Sequence, residues 1–317
     1  MQSMNISRKA MRAYNTLAIL KQFVKLAPIL AISIANIWAG PITLYGGLGG
    51  HNNGDSTNDG ALATVDQGSG AVTIVGHPAG VLRISGLAFD NAGLLWATSQ
   101  PSGGFPPPPG PIGVSHLLQL NPSTGAIILD VGLVKDVSTG LSIADLAVNP
   151  VTGDLFGIRG PNDKLGGQGK LYKINRATGV AALVGDTGDF FGSIAFASNG
   201  TLYMSAADLD SMGNFVNIGL KRLNPSNAAT LSFVGTTDFF GAFGIRPTDG
   251  VLFGGTGDSH QLFTIDPVTG TETLVGDTGQ NFIGDLAFQT PEPDTFTMLL
   301  GGGLALFAMR WRAHQIR

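Results

Sequence analysis

The stretch Gln261–Phe288, QLFTIDPVTGTETLVGDTGQNFIGDLAF, decides the fold. It holds a short apolar strand, an Asp-Pro-x-Thr-Gly turn, a second strand ending in Val-Gly, a polar loop and a third strand ending in Leu-Ala-Phe. Asp caps such a turn, Pro presets its φ and Gly accepts a positive φ. Weaker copies fill most of the preceding chain, usually with a fourth strand such as Leu-Tyr-Gly. The sequence therefore predicts a repeated unit of four short strands.

The spacing of the copies indicates a β-propeller. The glycines that end the second strand recur at intervals of 56, 53, 50 and 41 residues. An unrelated sandwich that reuses the same turns is the alternative, and the joint recurrence of turn and strand argues against it. The five glycines are Gly76, Gly132, Gly185, Gly235 and Gly276.

The two ends of the repeat region complement each other. The last copy stops after one strand, Gly284–Phe288, whereas the start supplies three, at Ile42–Gly46, Ala61–Val65 and Val72–Val75. An open ring would leave backbone N–H and C=O groups unpaired, and pairing the two ends satisfies them. We therefore predict a five-bladed, all-β propeller over residues 40–290 whose closing blade is shared by the N-terminal strands and the last strand.

Naming the strands A to D from the axis outward sorts the connections by face. The A–B and C–D turns are tight, whereas the B–C loops are long and differ between blades. Variable loops on a repeated scaffold are where binding usually resides, so we expect a ligand on the B–C and D–A face. The long loops are 47–60, 100–115, 160–169 and Ala206–Ile218.

Composition limits the classes of partner. Gly numbers 47, charged residues are 13% and hydrophobic residues 43%, which suits a turn-rich β-protein with a core. No cysteine is present, which excludes disulfides and thiolate metal sites. Residues 40–290 hold 10 Lys and Arg against 20 Asp and Glu, a formal charge of −10. Because phosphate binding needs clustered cations, we expect no nucleic-acid partner.

Acidic residues in the loops of the B–C and D–A face form the candidate ligand or calcium face, because Ca²⁺ takes six to eight oxygen ligands. The alternative is that each Asp caps its own turn, and we predict no other cofactor. Phe190, Phe191, Phe239, Phe240 and Phe282 recur at the ends of the D–A loops, where core packing and sugar stacking are both open interpretations. The candidate acids are Asp55, Asp59, Asp186, Asp189, Asp238 and Asp277.

The sequence carries no nucleophile motif. It has no Gly-x-Ser-x-Gly elbow and no Cys, so we predict no catalytic residue. We expect a non-enzymatic binder of extracellular polysaccharide or of a surface protein. A secreted carbohydrate-active hydrolase or lyase is the first alternative, because the separation of two carboxylates cannot be read from a sequence. A purely structural matrix protein is the second.

The N-terminus predicts an export signal over residues 1–39. Five Lys and Arg precede the apolar run Leu26–Ala39, in the order of a secretory signal peptide. Fourteen residues rise only about 21 Å as a helix, short of a bilayer core of roughly 30 Å. We therefore expect Sec-dependent export with cleavage rather than a permanent anchor.

The C-terminus, residues 291–317, has three parts in order. The word Pro291-Glu292-Pro293 is followed by the apolar run Thr295–Met309 and then by Arg310-Trp311-Arg312. The tail resembles the PEP-CTERM sorting signal, and the resemblance implies processing by an exosortase in a bacterium that makes extracellular polysaccharide. The body is similar to NHL-type propellers in general plan only. Trp at the interface and terminal arginines also predict a transient inner-membrane helix with a cytoplasmic end, before transfer to the cell surface.

Overall fold

The structure, a computed structural model, describes residues 42–49, 57–100, 114–137, 139–160, 169–257, 259–279 and 282–289. Thr43–Thr290 form one compact unit. Within the described ranges, all regular structure is β, and no helix is long and apolar enough to cross a bilayer. The strands are β1 (Thr43–Leu48), β2 (Leu62–Val65), β3 (Val72–Gly76), β4 (Arg83–Phe89), β5 (Leu95–Gln100), β6 (His116–Leu120), β7 (Ile127–Leu133), β8 (Ile143–Val148), β9 (Leu155–Arg159), β10 (Lys170–Ile174), β11 (Ala181–Asp186), β12 (Phe191–Phe196), β13 (Leu202–Leu209), β14 (Phe215–Leu223), β15 (Thr230–Gly235), β16 (Ala242–Ile245), β17 (Leu252–Gly255), β18 (Gln261–Ile265), β19 (Glu272–Asp277) and β20 (Ile283–Gln289).

The twenty strands form five antiparallel sheets of four. Blade 1 has the order β20-β1-β2-β3, and blades 2 to 5 are β4–β7, β8–β11, β12–β15 and β16–β19. The first strand of each blade contacts the first strands of both neighbouring blades, from β20 through β4, β8, β12 and β16 back to β20. The predicted five-bladed propeller is confirmed.

Blade 1 closes the ring as the sequence predicts. β1 pairs with β20 from Thr43 opposite Gln289 to Leu48 opposite Ile283, with a bulge after Gly47. Because the two strands come from opposite ends of the domain, the backbone ladder between them joins its start to its end. Ring closure pairs β1 on both sides, with β20 and β2, so that β1 is not a free sheet edge.

The apolar core lies between neighbouring blades. Ala88 and Trp96 of blade 2, for example, share one buried cluster with Ile143, Leu146 and other residues of blade 3. Because both faces of each blade pack against neighbouring blades, the sequences of its inner strands are nearly continuous apolar runs such as Leu-Ala-Phe. Burying each large side chain contributes about 1.5–3 kcal/mol.

Three of the repeated Val-Gly words contact a turn of the next blade. A Cβ at Gly276, which ends the Val-Gly word of blade 5, would overlap the carbonyl oxygen of Ser69 in the β2–β3 turn of blade 1. A Cβ at Gly76 would overlap Thr124 O of blade 2, and one at Gly185 would overlap Asn227 O of blade 4. At these three junctions a glycine is needed because a turn of the next blade packs directly on the backbone at that point.

The structure differs from the sequence prediction at Ala206–Ile218. We predicted a long loop, but β13 and β14 extend through it and pair as far as Leu209 opposite Phe215. The hairpin turns at Asp210, whose Oδ1 accepts hydrogen bonds from the backbone N–H groups of Met212 and Asn214. The loop prediction was wrong here because a capped turn between two pairing strands resembles a polar loop in sequence.

Candidate functional site

Two predicted site residues cap their own loops. Asp186 Oδ1 accepts the Gly188 N–H at 2.9 Å, and Asp277 Oδ1 accepts the Gly279 N–H at 2.7 Å. Both carboxylates are exposed, and each binds a backbone group two residues away. The repeated Gly-Asp-Thr-Gly word thus encodes an Asx turn between the fourth strand of one blade and the first strand of the next.

The other described candidate acids are spread among different blades. Asp59 is half-buried beside the cation of Arg83, whose guanidinium carbon lies 5.6 Å from the ring centre of Phe282. Asp238 is half-buried, and its backbone N–H donates to Glu272 Oε1 at 3.0 Å. Among the described residues no three acidic or histidine side chains cluster as metal ligands. The calcium face stays a prediction.

Asp189 forms a buried ion pair rather than an open ligand site. Its Oδ1 lies 2.5 Å from Lys221 Nζ, with only 2% of the Asp189 side chain exposed. Burial raises the pKa of Asp189, and the hydrogen bond and charge of Lys221 oppose the rise. Lys221 belongs to β14, so the pair ties the start of blade 4's inner strand to its third strand.

Four phenylalanines meet beside this ion pair and form a surface that we call the aromatic platform. Phe191 contacts Phe190, Phe215 and Phe239 with ring-centre separations of 4.8, 5.2 and 5.7 Å. Phe215 and Phe239 are stacked at 5.7 Å with 28° between their planes. Phe215 is 46% exposed, and the other three rings are half-buried. The exposed part of this cluster offers an apolar surface for a ligand.

Two D–A loops and the extended hairpin build the platform. The word Asp-Phe-Phe-Gly occurs at Asp189–Gly192 and again at Asp238–Gly241, and the first Phe of each copy joins the cluster. In the second copy the next residue, Phe240, is 1% exposed and packs in the core instead. The recurring phenylalanines therefore have two roles. Phe240 packs in the core, whereas Phe190, Phe191 and Phe239 reach the surface.

Polar groups fix the edge of the platform. Asp208 Oδ1 accepts the Phe190 N–H at 3.0 Å, and its Oδ2 accepts from Asn217 Nδ2 at 3.1 Å. Asn217 has φ of 53°, in the left-handed region, where the β13–β14 register shifts between Ala206 and Asp208. A left-handed residue in a strand is uncommon and is held by its surroundings. At this irregularity the Asp208 carboxylate bridges the backbone of Phe190 and the side-chain amide of Asn217.

A second group of acids lies on the propeller axis. Asp145 of β8 and Asp285 of β20 are fully buried and hydrogen-bond to each other. Asp285 Oδ2 accepts the backbone N–H of Leu87, and Asp145 Oδ2 accepts that of Ile194 and the hydroxyl of Ser193. Because inner strands are edge strands, their N–H groups need such acceptors. The pair thus joins blades 1 and 3 to their neighbours.

The carboxyl pair keeps a proton at neutral pH. Burial raises the pKa of Asp145 to about 6, against the hydrogen bonds from Asp285, Ser193 and Ile194. Burial and the neighbouring charge of Asp145 raise the pKa of Asp285 well above its usual range. Like charges this close do not both ionise, so the pair shares one proton. A pair enclosed in this way cannot flank a bond of a polymeric substrate.

The axis opens toward the A–B turns. A cavity of about 290 Å³ lies there, walled by inner-strand residues such as Leu87, Leu146 and Phe243 and rimmed by turn residues such as Asn91 and Pro150. Its walls are apolar, and the carboxyl pair does not line them.

Several predicted residues lie outside the described ranges. They are Asp55, the signal segment 1–39, the sorting word Pro291, Glu292 and Pro293, and the tail residues Arg310, Trp311 and Arg312.

Sequence reasoning missed Phe215, Asp208 and the axial pair. Phe215 lies within Ala206–Ile218, which the sequence predicts to be a loop. The sequence signal for the longer hairpin is the polar turn Asp210–Asn214, which has apolar residues on both sides. For the axial pair, the sequence signal is an acid inside an apolar inner strand, since acids are rarely buried without a partner. The two acids occupy the same position in their repeats, in Gly284-Asp285-Leu286 and Ala144-Asp145-Leu146.

Comparison with known proteins identifies the tail. Residues 289–313 match the PEP-CTERM protein-sorting motif, which includes the predicted Pro-Glu-Pro word and the basic end. None of the curated proteins matches the chain.

Solved structures with a similar chain path share only 12–15% sequence identity. A structure titled as a nidogen–laminin complex aligns with a TM-score of 0.48 at 12% identity, over 79% of this chain and 99% of the other. A Bacteroides caccae protein of unknown function aligns with a TM-score of 0.42 at 12% identity over the same shares. Myxococcus xanthus glutaminyl cyclase aligns with a TM-score of 0.39 at 15% identity, over 64% and 69%. The chain is an exported five-bladed β-propeller that carries a PEP-CTERM sorting motif.

Proposed function

We propose that this protein reaches the cell surface through an exosortase and there binds extracellular polysaccharide through the B–C and D–A face, without cleaving it. The observation that carries the proposal is the aromatic platform on that face. Phe215 is 46% exposed and stacks on Phe239, and Asp208 and Asn217 stand at the edge. Aromatic faces pack against the C–H faces of sugars, and carboxylate and amide groups bind their hydroxyls.

The binding test compares Phe215→Ala with Phe233→Ala, using polysaccharide co-sedimentation. Phe233 lies on β15 of the same blade and is 51% exposed, but it is not part of the platform. We expect Phe215→Ala to weaken binding by about tenfold, since stacking contributes roughly 0.5–1.5 kcal/mol beyond buried area. Phe233→Ala should bind as the wild type does. Equal loss in both variants, or no binding by the wild type, would contradict the proposal and favour a structural matrix role.

The carbohydrate-active alternative has its own readout. New reducing ends after incubation of the wild type with the polysaccharide would favour a hydrolase, and unsaturated ends would favour a lyase. The proposal expects neither product.

The sorting half of the proposal rests on the Pro-Glu-Pro word, and its test is independent of binding. Replacing Pro291, Glu292 and Pro293 together with alanine should block removal of the tail in a host that has an exosortase. The mass of the envelope-associated protein measures this, and a double-alanine change at Gln315 and Ile316, beyond the matched motif, is the control. Unchanged processing of the triple variant would refute exosortase recognition of this word.

A further inference from the structure

We propose that the aromatic platform prefers saccharide units that carry a free amine, such as glucosamine, over N-acetylated or uronic acid units. The inference rests on the proposed function, because it names the chemistry of the ligand for the same face. It follows from the charges that surround the four rings.

The charged groups on the elements of the platform are mainly acidic. Asp208 contacts the platform through the Phe190 N–H, and it is partnered by hydrogen-bond donors, the N–H and Asn217, rather than by a cation. Asp238 directly precedes Phe239, and Asp210 caps the hairpin turn. Of the two cations on β14, Lys221 forms an ion pair with Asp189 at 2.5 Å, and the exposed Arg222 lies seven residues from Phe215, toward the other end of the strand. The platform therefore presents a negative edge to any ligand.

Among the described residues of neighbouring blade 3, two cations lie at this end of the strands, and Lys170, which begins β10, is half-buried. Arg159, at the end of β9, is only 7% exposed, so its charge is not presented at the surface. The whole segment 40–290 has a formal charge of −10. Uronic acids would be repelled by this field, whereas an ammonium group would be attracted to it.

Rings and carboxylates together match an amino sugar. The C–H face of the sugar covers an exposed ring such as Phe215, and its ammonium group can approach both an aromatic face and a carboxylate. A neutral sugar makes only the first contact. The preference for the amine is therefore electrostatic and should weaken with salt, because exposed charges are screened beyond about 10 Å at 0.1 M ionic strength.

The test uses the protein purified from the envelope of an exosortase-containing host, and calorimetry with three hexasaccharides: glucosamine, N-acetylglucosamine and galacturonic acid. We expect glucosamine hexamer to bind about two- to fivefold more tightly than its acetylated form, as exposed charge contacts allow. This ratio should fall toward one in 0.5 M NaCl, and galacturonic acid hexamer should bind most weakly.

Two variants locate the effect. Asp208→Asn keeps an acceptor for the Phe190 N–H and removes the charge, so it should lower the ratio and leave binding of the acetylated hexamer unchanged. Asp130→Asn, a change to an exposed acid on β7 of blade 2, is the matched control and should keep the wild-type ratio. Phe215→Ala should weaken both ligands.

The outcomes separate this inference from the proposed function. Equal affinity for the amine and acetylated hexamers, with both lost in Phe215→Ala, would overturn the amine preference and leave polysaccharide binding intact. Loss of neither ligand in Phe215→Ala would overturn both. A hexalysine peptide that binds as tightly as glucosamine hexamer, with the same dependence on Phe215, would overturn the choice of a saccharide as the ligand.

Discussion

At the scale of single residues, the axial pair Asp145 and Asp285 makes stability depend on pH. An acid whose pKa is higher in the folded than in the unfolded state binds an extra proton on folding. Stability is therefore greatest at low pH and falls as pH rises from about 4, through the value of about 6 for Asp145, toward the raised pKa of Asp285. The slope is at most about 1.4 kcal/mol per pH unit for each proton.

Asp285→Asn should remove most of this dependence. Its amide can accept the Leu87 N–H and donate permanently to Asp145, so no shared proton is needed. We expect unfolding in urea between pH 4.5 and 8.5 to show a flatter profile, with stability at pH 8 equal to or above that of the wild type.

The control for that prediction is Asp285→Ala. It leaves buried backbone N–H groups without an acceptor, at a cost of about 1–3 kcal/mol each at every pH. A profile of Asp285→Asn that follows the wild-type slope would show that the pair does not share a proton.

At the scale of elements, the contact between a strand-ending glycine and the next blade's turn sets the spacing of the blades. The contact at Gly276 joins blade 5 to blade 1 and so lies at the closing junction. Gly235 has the corresponding position in blade 4, but a Cβ there would meet only Ile218 O, at 3.9 Å. Replacing Gly276 and replacing Gly235 with alanine are therefore expected to change the free energy of unfolding by different amounts.

Gly276→Ala should destabilise the propeller by about 1–3 kcal/mol or more, because the Ser69 carbonyl is backbone and must move to admit the methyl group. Gly235→Ala should be neutral or stabilising by up to about 1 kcal/mol through the unfolded chain. Thermal unfolding of both variants measures the difference, and equal shifts would mean that the junction does not need a glycine.

The extended hairpin of blade 4 shows what element-level sequence reasoning can and cannot recover. The start of β13, Leu202-Tyr203-Met204, can be predicted locally, because these residues are mostly apolar and follow an Asn-Gly turn. The extension to Leu209 cannot, since Asp208 and Asp210 read as loop residues until their partners across the hairpin are known. Pairing, rather than propensity, makes these residues strand.

At the scale of the whole molecule, closure of the ring joins distant parts of the chain. Deleting residues 43–76 removes three strands of blade 1 and leaves β20 without its partner β1. The exposed strand edge and the uncovered blade faces should cause aggregation and loss of cooperative unfolding. Size-exclusion chromatography and a thermal melt measure both, and a monomeric, cooperatively melting deletion variant would contradict closure.

A circular permutant is the matched control for that deletion. Thr43 lies opposite Gln289 across the closing ladder, so a short Asn-Gly turn can join them. New ends placed between residues 161 and 168 then keep all twenty strands in the chain. We expect this permutant to be monomeric with a melting temperature near that of the wild type.

The sequence by itself determined the number of blades, the shared closing blade and the sorting tail. These features depend on local turn residues and on periods that recur along the chain. Such local patterns can be read without knowing which residues are in contact. The tertiary structure alone decided that Phe215 joins Phe191 and Phe239, and that Asp145 meets Asp285 on the axis. Pairing within blade 4 and the loop that follows it bring the phenylalanines together, and packing of the inner strands around the axis brings Asp145 of blade 3 to Asp285 of blade 1.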